Sequence, residues 1–457
     1  MLGVTGYAQF VQTTGMDSDM NRRTRVVTLL PPIVWGSLCA GAVWAQTPPS
    51  PPPSAAETPA AEPAKAPEPA APAGPTPIPM IPGAVAGPSP MSNPAMSGPL
   101  SPNQKPLGFD LGALGTVYTT GVVSGLAQWQ NNASPGDQAS QADVSNAQIF
   151  LNKTDGLVQF FLQAGAYSLP DIGVPYDRAS HATNDFYGPL PQWFVKLAPT
   201  DEFSIMVGKL PTLIGSEYTF SFENMNIERG LLWNQENAVN RGVQVNYSAG
   251  PLALAFSWND GFYSNKYTWA SLSATYTIDK ENTVAIIAGG NTKKETVSTT
   301  ATPLFQNNEQ IYNLVYTHAA GPWTIQPYVQ YTRVPASAEY DTTESASTTG
   351  VALLVNYAFD ADSSFGGLKL AGVNLPVRVE YISSTGSVAG GAPNLMYGPG
   401  SKAWSITVTP TYQEKIFFAR AELSFVQARS TTPGLAFGAD GNHTSQTRFL
   451  LEAGILF

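Results

Sequence analysis

Three histidines are the residues to weigh first for catalysis, because hydrolysis needs a nucleophile or a water molecule held by His and a carboxylate. His181 and His443 fall in predicted loops, and His318 lies near a predicted short turn. None of them has a Ser or Asp at a suggestive spacing, and no group of His and carboxylates has the pattern of a metal site. The sequence therefore predicts no enzymatic activity, no catalytic residue, no metal and no cofactor.

Charged side chains gather instead in one long link between predicted strands, residues 211–240, where they are interspersed with apolar residues. Charges that line a narrow passage select solutes by electrostatic attraction and repulsion, without covalent chemistry. A long, half-apolar loop is costly to leave in water, so we expect it to fold into the interior of a hollow structure. A surface flap, or a loop docked on a neighbouring subunit, is the alternative. The residues assigned to this constriction are Glu217, Glu223, Glu228, Arg229, Glu236 and Arg241.

The segments around this loop alternate between apolar and polar residues, with the period of two that puts neighbouring side chains on opposite faces of a strand. The last ten residues are the clearest case. Arg448 and Glu452 fall on one face, and the other face carries Phe449, Leu451, Ala453, Ile455 and Phe457. A membrane β-barrel needs such an apolar outside and polar inside. This second set also resembles the C-terminal signal by which bacterial outer-membrane proteins are recognised for assembly.

The same alternation predicts 16 strands, and 14–18 are compatible with the pattern. Short turns and long links follow each other along nearly the whole chain, as in outer-membrane barrels, with one overlong turn at 360–374. The predicted fold is all-β: a transmembrane, antiparallel, up-and-down barrel whose third long outer loop folds into the lumen. The predicted strands are 111–129, 142–152, 156–167, 191–198, 203–210, 241–248, 251–259, 267–278, 282–291, 309–319, 322–333, 348–359, 375–384, 402–412, 415–427 and 446–457.

Seven charged residues of these strands fall on the face opposite to the apolar one. An Arg or Lys that faces lipid near the membrane midplane costs roughly 2–4 kcal/mol, so we place these residues on the wall of the lumen. They either create a field that orients solutes or pair across strands to stiffen the wall. The wall residues are Lys196, Arg378, Glu380, Arg420, Glu422, Arg448 and Glu452.

Composition excludes other classes of protein. Charged residues are 12% of the chain, about half the usual share, yet no long apolar run follows Ala45, which excludes helical membrane proteins. A soluble β-sandwich would carry many Lys and Glu on its wet face, whereas here that face carries Thr, Ser, Gln, Asn and Ala. The net charge is −10, which argues against nucleic acid as a partner.

The first 106 residues are of a different kind. Residues 1–19 read as untranslated or as an extension before the signal, because their acidic residues do not suit a leader. Residues 20–45 have the basic start, apolar centre and small residues of a signal peptide cleaved after Ala45. The only cysteine, Cys39, lies inside it, so the mature chain forms no disulfide. Residues 46–106 are rich in Pro and Ala and predict a disordered periplasmic spacer, either a tether or padding; the barrel spans 107–457.

Three segments resemble a known family: residues 207–215 (Val-Gly-Lys-Leu-Pro-Thr-Leu-Ile-Gly), 226–229 (Asn-Ile-Glu-Arg) and 241–243 (Arg-Gly-Val). They look like the corresponding parts of the OmpL-like β-barrel porins of Gram-negative bacteria, and the likeness covers roughly 107–457. Membership of that family implies an outer-membrane channel and leaves the solute open. Glu228 stands where the family usually has Ser before the Arg, which puts a role carried over for that pair in doubt.

Together these features predict a porin-type channel of the bacterial outer membrane for passive diffusion of small hydrophilic solutes. The alternative is a closed barrel with a structural or adhesive role. The expected partners are outer-membrane lipid, the barrel-assembly machinery and periplasmic chaperones during biogenesis, the solutes themselves, and further copies of the chain in a homotrimer. Single-channel conductance separates the two functions.

Overall fold

The computed structural model of the chain describes residues 96–103 and 105–457. The predicted pre-signal extension, the signal peptide and most of the predicted spacer lie outside these residues. The described residues form a nearly all-β structure, in which the main sheet closes on itself as an antiparallel barrel. The predicted all-β antiparallel barrel is confirmed, including the 16 strands of its wall.

The main sheet also includes a short N-terminal strand, and a separate two-stranded sheet lies in one turn. The wall strands are β2 to β13, β16, β17 continued by β18, β19 and β20. In chain order the strands are β1 Leu107–Asp110, β2 Thr116–Gln130, β3 Ser140–Lys153, β4 Val158–Tyr167, β5 Gln192–Leu197, β6 Phe203–Pro211, β7 Val239–Ala249, β8 Leu252–Asn259, β9 Trp269–Thr277, β10 Asn282–Asn291, β11 Gln310–Ala320, β12 Trp323–Val334, β13 Ala346–Ala358, β14 Ser364–Phe365, β15 Leu368–Lys369, β16 Val373–Ser384, β17 Lys402–Val408, β18 Thr411–Glu414, β19 Phe417–Arg429 and β20 Ser445–Leu456.

The barrel is closed by β2 and β20, which pair antiparallel from Val122 opposite Leu456 to Gln130 opposite Arg448. Closure pairs both edges of the sheet, so neither is left with free backbone donors and acceptors. Phe457 extends this seam by one residue: its N–H donates to the Gly121 carbonyl at 2.9 Å and its carbonyl accepts from Gly121 at 2.8 Å. Strand β1 then continues beside β2, with Leu107 opposite Thr119.

One wall strand is interrupted. The sequence predicts a continuous strand 402–412, but the structure breaks it into β17 and β18 at residues 409 and 410. Pro410 has no backbone N–H and cannot donate to a sheet ladder, which explains the break. Both halves pair with β19, so the strand still counts once in the wall.

Side chains of the wall alternate between the lumen and the outside. In β20, Leu450 and Glu452 are buried, whereas Leu451 is 43% exposed on the outside. Phe449 and Phe457 are exposed on the same outer face as Leu451. The face predicted to carry the assembly signal therefore points outward, and its recognition during assembly stays a prediction. An apolar outer face and a polar inner face are what a membrane barrel requires.

Links at one end of the barrel are short and those at the other end are long. The predicted overlong turn at 360–374 contains the hairpin of β14 and β15. Within residues 96–103 and 105–457, no helix has the length and apolar character needed to cross a membrane. The helical turns are the α-helix Ala179–His181, the π-helix Ala182–Phe186 and the 3-10 helices Gly112–Leu114, Ser221–Glu223, Trp233–Gln235, Gln306–Asn308 and Ala338–Tyr340.

Residues 96–103, which fall within the predicted spacer 46–106, lie against the barrel interior. Met96 and Leu100 are buried in an apolar cluster with side chains of the inner wall, which supplies the burial that the neighbouring Pro- and Ala-rich sequence lacks. Strand β1 likewise begins at Leu107, whereas the first predicted strand begins at residue 111.

Candidate functional site

The link between β6 and β7, residues 212–238, lies against the inner wall of the barrel and is called the inner loop below. It leaves β6 at Thr212 and turns at Gly215, whose φ of +78° is strained for any residue with a side chain. A Cβ on Gly215 would lie 1.8 Å from a carboxylate oxygen of Glu236, so the two ends of the loop are in close contact there. Two 3-10 turns, Ser221–Glu223 and Trp233–Gln235, shape the rest.

Arg378 on β16 is the central anchor of the inner loop. Its Nη1 donates to Glu217 Oε1 at 2.7 Å and to the Glu228 carbonyl oxygen at 2.6 Å. Its Nε donates to Glu380 Oε2 on the same strand at 3.1 Å. All these side chains are buried, so each charge is compensated by an opposite charge and hydrogen bonds, as buried ions require.

Two glutamates of the wall accept hydrogen bonds from the backbone of the inner loop. Glu380 accepts from the Leu231 and Leu232 N–H groups at 3.0 and 3.2 Å. Glu422 accepts from the Ile227 and Glu228 N–H groups at 2.5 and 3.0 Å. A carboxylate that binds two adjacent N–H groups fixes the orientation of that stretch of backbone. The wall charges therefore determine where the loop lies.

The remaining wall arginines, Arg420 and Arg448, also hold the loop. Arg420 forms an ion pair with Glu452 on β20, and its Nη1 donates to the Asn224 carbonyl at 3.2 Å. Arg448 Nη1 donates to Glu228 Oε1 at 2.7 Å. Six of the seven predicted wall residues are thus brought together around the inner loop.

Arg229 belongs to the loop itself and pairs away from the wall strands. Its Nε donates to Asp171 Oδ1 at 2.5 Å, and its Nη2 donates to the Pro170 carbonyl at 3.2 Å. Its guanidinium carbon lies 5.3 Å from the centre of the Trp233 ring. Arg229 therefore ties the inner loop to the preceding long link, 168–191, a contact that the sequence analysis did not predict.

Aromatic side chains attach the first half of the inner loop to a second sector of the wall, β3 to β6. The Phe222 ring lies 5.8 Å from that of Phe150 on β3, and the Phe220 ring packs edge-on to Tyr167 on β4 at 5.0 Å. These residues share one buried cluster with Phe161 and other inner side chains of β4 to β6. The apolar part of the loop is therefore covered by wall residues and not by lipid.

A third sector of the wall contacts aliphatic residues of the loop. Ile214, Met225 and Leu232 share a buried cluster with inward side chains of β10 to β13. Gly350 on β13 makes room for the loop, since a Cβ there would lie 2.8 Å from Leu232 Cγ. The inner loop thus touches the wall at β3–β6, at β10–β13 and at β16–β20, on all sides of the lumen.

Two loop glutamates are buried without a cation beside them. Burial raises the pKa of Glu223 to about 8, although its carboxylate accepts a hydrogen bond from the Phe220 N–H at 3.0 Å. Burial, with the nearby Glu217 carboxylate, also raises the pKa of Glu236 well above its ordinary value. Glu223 is therefore mostly protonated at neutral pH, and burial disfavours a negative charge at Glu236.

Two predicted site residues lie elsewhere. Lys196 does face the lumen, on β5, and takes part in none of the ion pairs formed by the described residues. Arg241 lies in β7, in phase with the outward residues of that strand, and its Nε pairs with Asp260 Oδ2 at 2.7 Å. Its guanidinium lies 3.9 Å from the centre of the Tyr263 ring. The ion pair and ring contact satisfy its charge outside the lumen.

His181 lies between two aspartates in the sequence, Asp177 and Asp185. Its Nδ1 contacts the Asp177 carboxylate, and its Nε2 lies 3.5 Å from Asp185 Oδ2. The i, i+4 spacing of these residues was the available signal. Within the part of the chain that the structure describes, no group of three or more His, Cys, Asp or Glu is placed to hold a metal ion.

Several solved structures are similar to this chain in fold. One is OmpTdeltaL8, a loop L8 deletion mutant of OmpT from Vibrio cholerae (12% identity, 75% of this chain and 99% of that chain, TM-score 0.49). Another is the outer membrane channel DcaP of Acinetobacter baumannii (12%, 75% and 97%, 0.49). A third is an anion-selective porin from Comamonas acidovorans (12%, 75% and 99%, 0.46). No curated protein matches the sequence.

One protein family matches the barrel itself. Its sequence model, described as "Putative beta-barrel porin-2, OmpL-like", covers residues 116–457, from the start of β2 to Phe457. The match includes the inner loop and all the wall residues that hold it, and it confirms the resemblance seen in residues 207–215, 226–229 and 241–243. The chain belongs to the OmpL-like β-barrel porin family.

Proposed function

We propose that this protein is an outer-membrane channel for passive diffusion of small hydrophilic solutes, with the inner loop as its constriction. The proposal rests on one observation. The wall is apolar outside and charged inside, and the inner loop is hydrogen-bonded to the charged inner face. A barrel of about 16 strands is wide enough to enclose an aqueous channel. Membership of a porin family supports the same function.

The constriction is expected to be narrow. Because the loop contacts three sectors of the wall, solutes must pass through the space that it leaves beside those contacts. Two of the loop glutamates are neutralised by wall arginines, Glu217 by Arg378 and Glu228 by Arg448. Paired charges leave size, rather than net charge, as the main basis of selection.

A second candidate function is a closed barrel with a structural or adhesive role. The tight packing of the inner loop favours it, because Arg378, Glu380, Glu422 and Arg448 are all buried beneath the loop. A barrel sealed by these contacts would sit in the membrane and pass nothing. The two candidates share the same fold and differ only in whether the lumen conducts.

Three further features belong to the proposal. The barrel would reside in the outer membrane of a Gram-negative bacterium, with its outer face in lipid and its short turns on the periplasmic side. It would be folded by periplasmic chaperones and the barrel-assembly machinery, and it would associate as a homotrimer. Catalysis forms no part of the proposed function.

Single-channel current in planar lipid bilayers tests the proposal. A channel gives discrete steps of stable size, and a variant that lacks residues 217–237 gives larger steps because the constriction is gone. A folded barrel that stays silent, with and without these residues, contradicts the channel and supports the closed barrel. Slower migration of heated samples in a denaturing gel shows beforehand that each preparation is folded.

A further inference from the structure

Residues 96–103, the N-terminal segment, run along the inside of the barrel from the inner loop toward the short-turn end. At one end, the N–H groups of Ser97 and Gly98 both donate to the Glu223 carbonyl oxygen, at 2.7 and 3.1 Å. The Ser97 hydroxyl donates to the same oxygen at 3.2 Å. Glu223 lies near the middle of the inner loop. The segment is therefore bonded to the part of the loop that is farthest in sequence from β6 and β7.

At its other end, the segment is held by the wall. The Ser101 N–H donates to Gln413 Oε1 at 2.7 Å, and Gln413 Nε2 donates to the Ser101 carbonyl oxygen at 2.8 Å. Gln413 lies in β18, next to the short turn that leads into β19. One side-chain amide thus satisfies both backbone groups of one residue, which fixes the position of the segment at the short-turn end.

Apolar contacts also hold the N-terminal segment in the barrel. Met96 and Leu100 belong to the buried cluster that also contains Phe222 of the inner loop and Phe150 and Phe418 of the wall. Leu100 is only 2% exposed. Burial of apolar side chains of this size stabilises the segment in its site.

Gly98 shows how closely the segment approaches the loop. A Cβ on Gly98 would lie 2.2 Å from the Asn224 carbonyl oxygen, a backbone atom that cannot move aside like the end of a side chain. The same oxygen accepts a hydrogen bond from Arg420, which fixes it further. Only glycine fits at this contact.

We propose that the N-terminal segment is a second constriction element, which occupies the periplasmic half of the lumen beneath the inner loop and sets the size limit of the channel together with it. This inference rests on the proposed channel function. The segment narrows the passage because it lies inside the barrel, bonded to the inner loop at Glu223 and to the wall at Gln413. It also supports the loop from below by binding the Glu223 carbonyl.

Thiol labelling tests the position of the segment without any channel measurement. The sequence contains one cysteine, Cys39, so in a Cys39→Ser background Leu100→Cys introduces the only thiol. In the folded protein in detergent, a maleimide should label this thiol roughly 100-fold more slowly than an unprotected one. Leu114→Cys is the matched control, because Leu114 is 60% exposed. Equal labelling rates in the two folded variants overturn the proposal.

Gly98→Ala tests the effect on conduction. The added methyl group cannot be accommodated against the Asn224 carbonyl, so the segment should leave its site. Labelling of Leu100→Cys then becomes fast in the Gly98→Ala background, and single-channel conductance increases about twofold as the passage widens. Gly125→Ala is the matched control: its Cβ would lie 3.7 Å from the nearest atom, an ordinary contact, and conductance should stay unchanged.

The outcomes separate this proposal from the channel function itself. If the wild type conducts and Gly98→Ala releases the segment without changing the conductance, the second constriction is overturned and the channel stands. If all folded variants are silent, the channel function fails, and the effect of the segment on conduction fails with it. Fast labelling together with larger current steps in Gly98→Ala alone supports the proposal.

Discussion

Arg378 on β16 and Glu217 in the inner loop are joined by a contact of 2.7 Å between Nη1 and Oε1, with 0% and 2% of their side chains exposed. The two residues are 161 positions apart in the chain. The pair therefore connects the loop that follows β6 to the opposite part of the barrel wall. Such a contact forms only when the barrel has closed and the loop has turned inward.

Replacing Arg378 by Met should destabilise the folded barrel strongly. Glu217 and Glu380 would both lose their cation while remaining buried, and removal of one partner of a buried ion pair costs about 3–5 kcal/mol. The measurement is the free energy of unfolding in urea, followed by tryptophan fluorescence in detergent. Arg429→Met is the matched control, because Arg429 is exposed at the end of β19.

The control should change the free energy of unfolding by less than about 0.5 kcal/mol. A double variant, Arg378→Met with Glu217→Gln, should be less destabilised than the sum of the two single variants, since the uncompensated charge at Glu217 is gone. Strict additivity would show that the two side chains do not interact.

Glu223→Gln should remove a pH dependence of stability. In the unfolded chain this carboxyl ionises near its ordinary pKa of 4.5, whereas burial keeps it protonated to about pH 8 in the folded protein. The folded state therefore binds more protons between these pH values, and its stability falls as pH rises through that window. Gln keeps the acceptor for the Phe220 N–H and has no proton to lose.

The measurement is the unfolding midpoint between pH 4.5 and pH 9. The wild type should lose stability on the order of a few kcal/mol across this range, and Glu223→Gln should lose less and be the more stable of the two at pH 9. Glu202→Gln, at an exposed turn, should follow the wild type. Identical curves for the wild type and Glu223→Gln would contradict the buried, protonated state.

Gly350→Val should push the inner loop away from β13. A Cβ at this position would lie 2.8 Å from Leu232 Cγ, and overpacking of this kind costs about 1–3 kcal/mol. Single-channel conductance should change in step size while the barrel still folds. Gly125→Val, at an outward position with space around it, serves as the control, and equal conductance of the two variants would show that the loop does not rest on Gly350.

Phe457→Ala should lower the yield of folded barrel. The Phe457 ring lies against Gly121 across the β2–β20 seam, where a Cβ on Gly121 would be 2.5 Å from it. Phe457 also belongs to the outward set of residues predicted to form the assembly signal. The folded fraction in outer-membrane preparations, measured by heat-dependent gel migration, should fall severalfold. Phe365→Ala, at a 79% exposed position in the β14–β15 hairpin, should leave the folded fraction unchanged.

The wall of the barrel could be predicted from the sequence because lipid outside and polar groups inside impose an alternation on every strand. The same parity placed Arg378, Glu422 and Arg448 on the inner face. Arg241 has the parity of the outward residues Val243 and Val245 in β7.

The contacts inside the barrel could not be predicted in this way. Which arginine meets which glutamate depends on the closed, three-dimensional wall, and the partners are up to 220 positions apart, as for Glu228 and Arg448. The N-terminal segment was missed because its Pro- and Ala-rich surroundings have no period. Its ties to Glu223 and Gln413 run through backbone groups, which leave no pattern in the sequence.

Liposome swelling with neutral sugars of increasing size tests the central claim most directly, because it measures passage through the lumen without an effect of charge. The structure predicts that liposomes with folded protein swell in small solutes such as glycerol and arabinose, and that the rate falls steeply toward trisaccharides. Liposomes that fail to swell in any of these solutes, although the inserted protein is shown to be folded, would contradict the account.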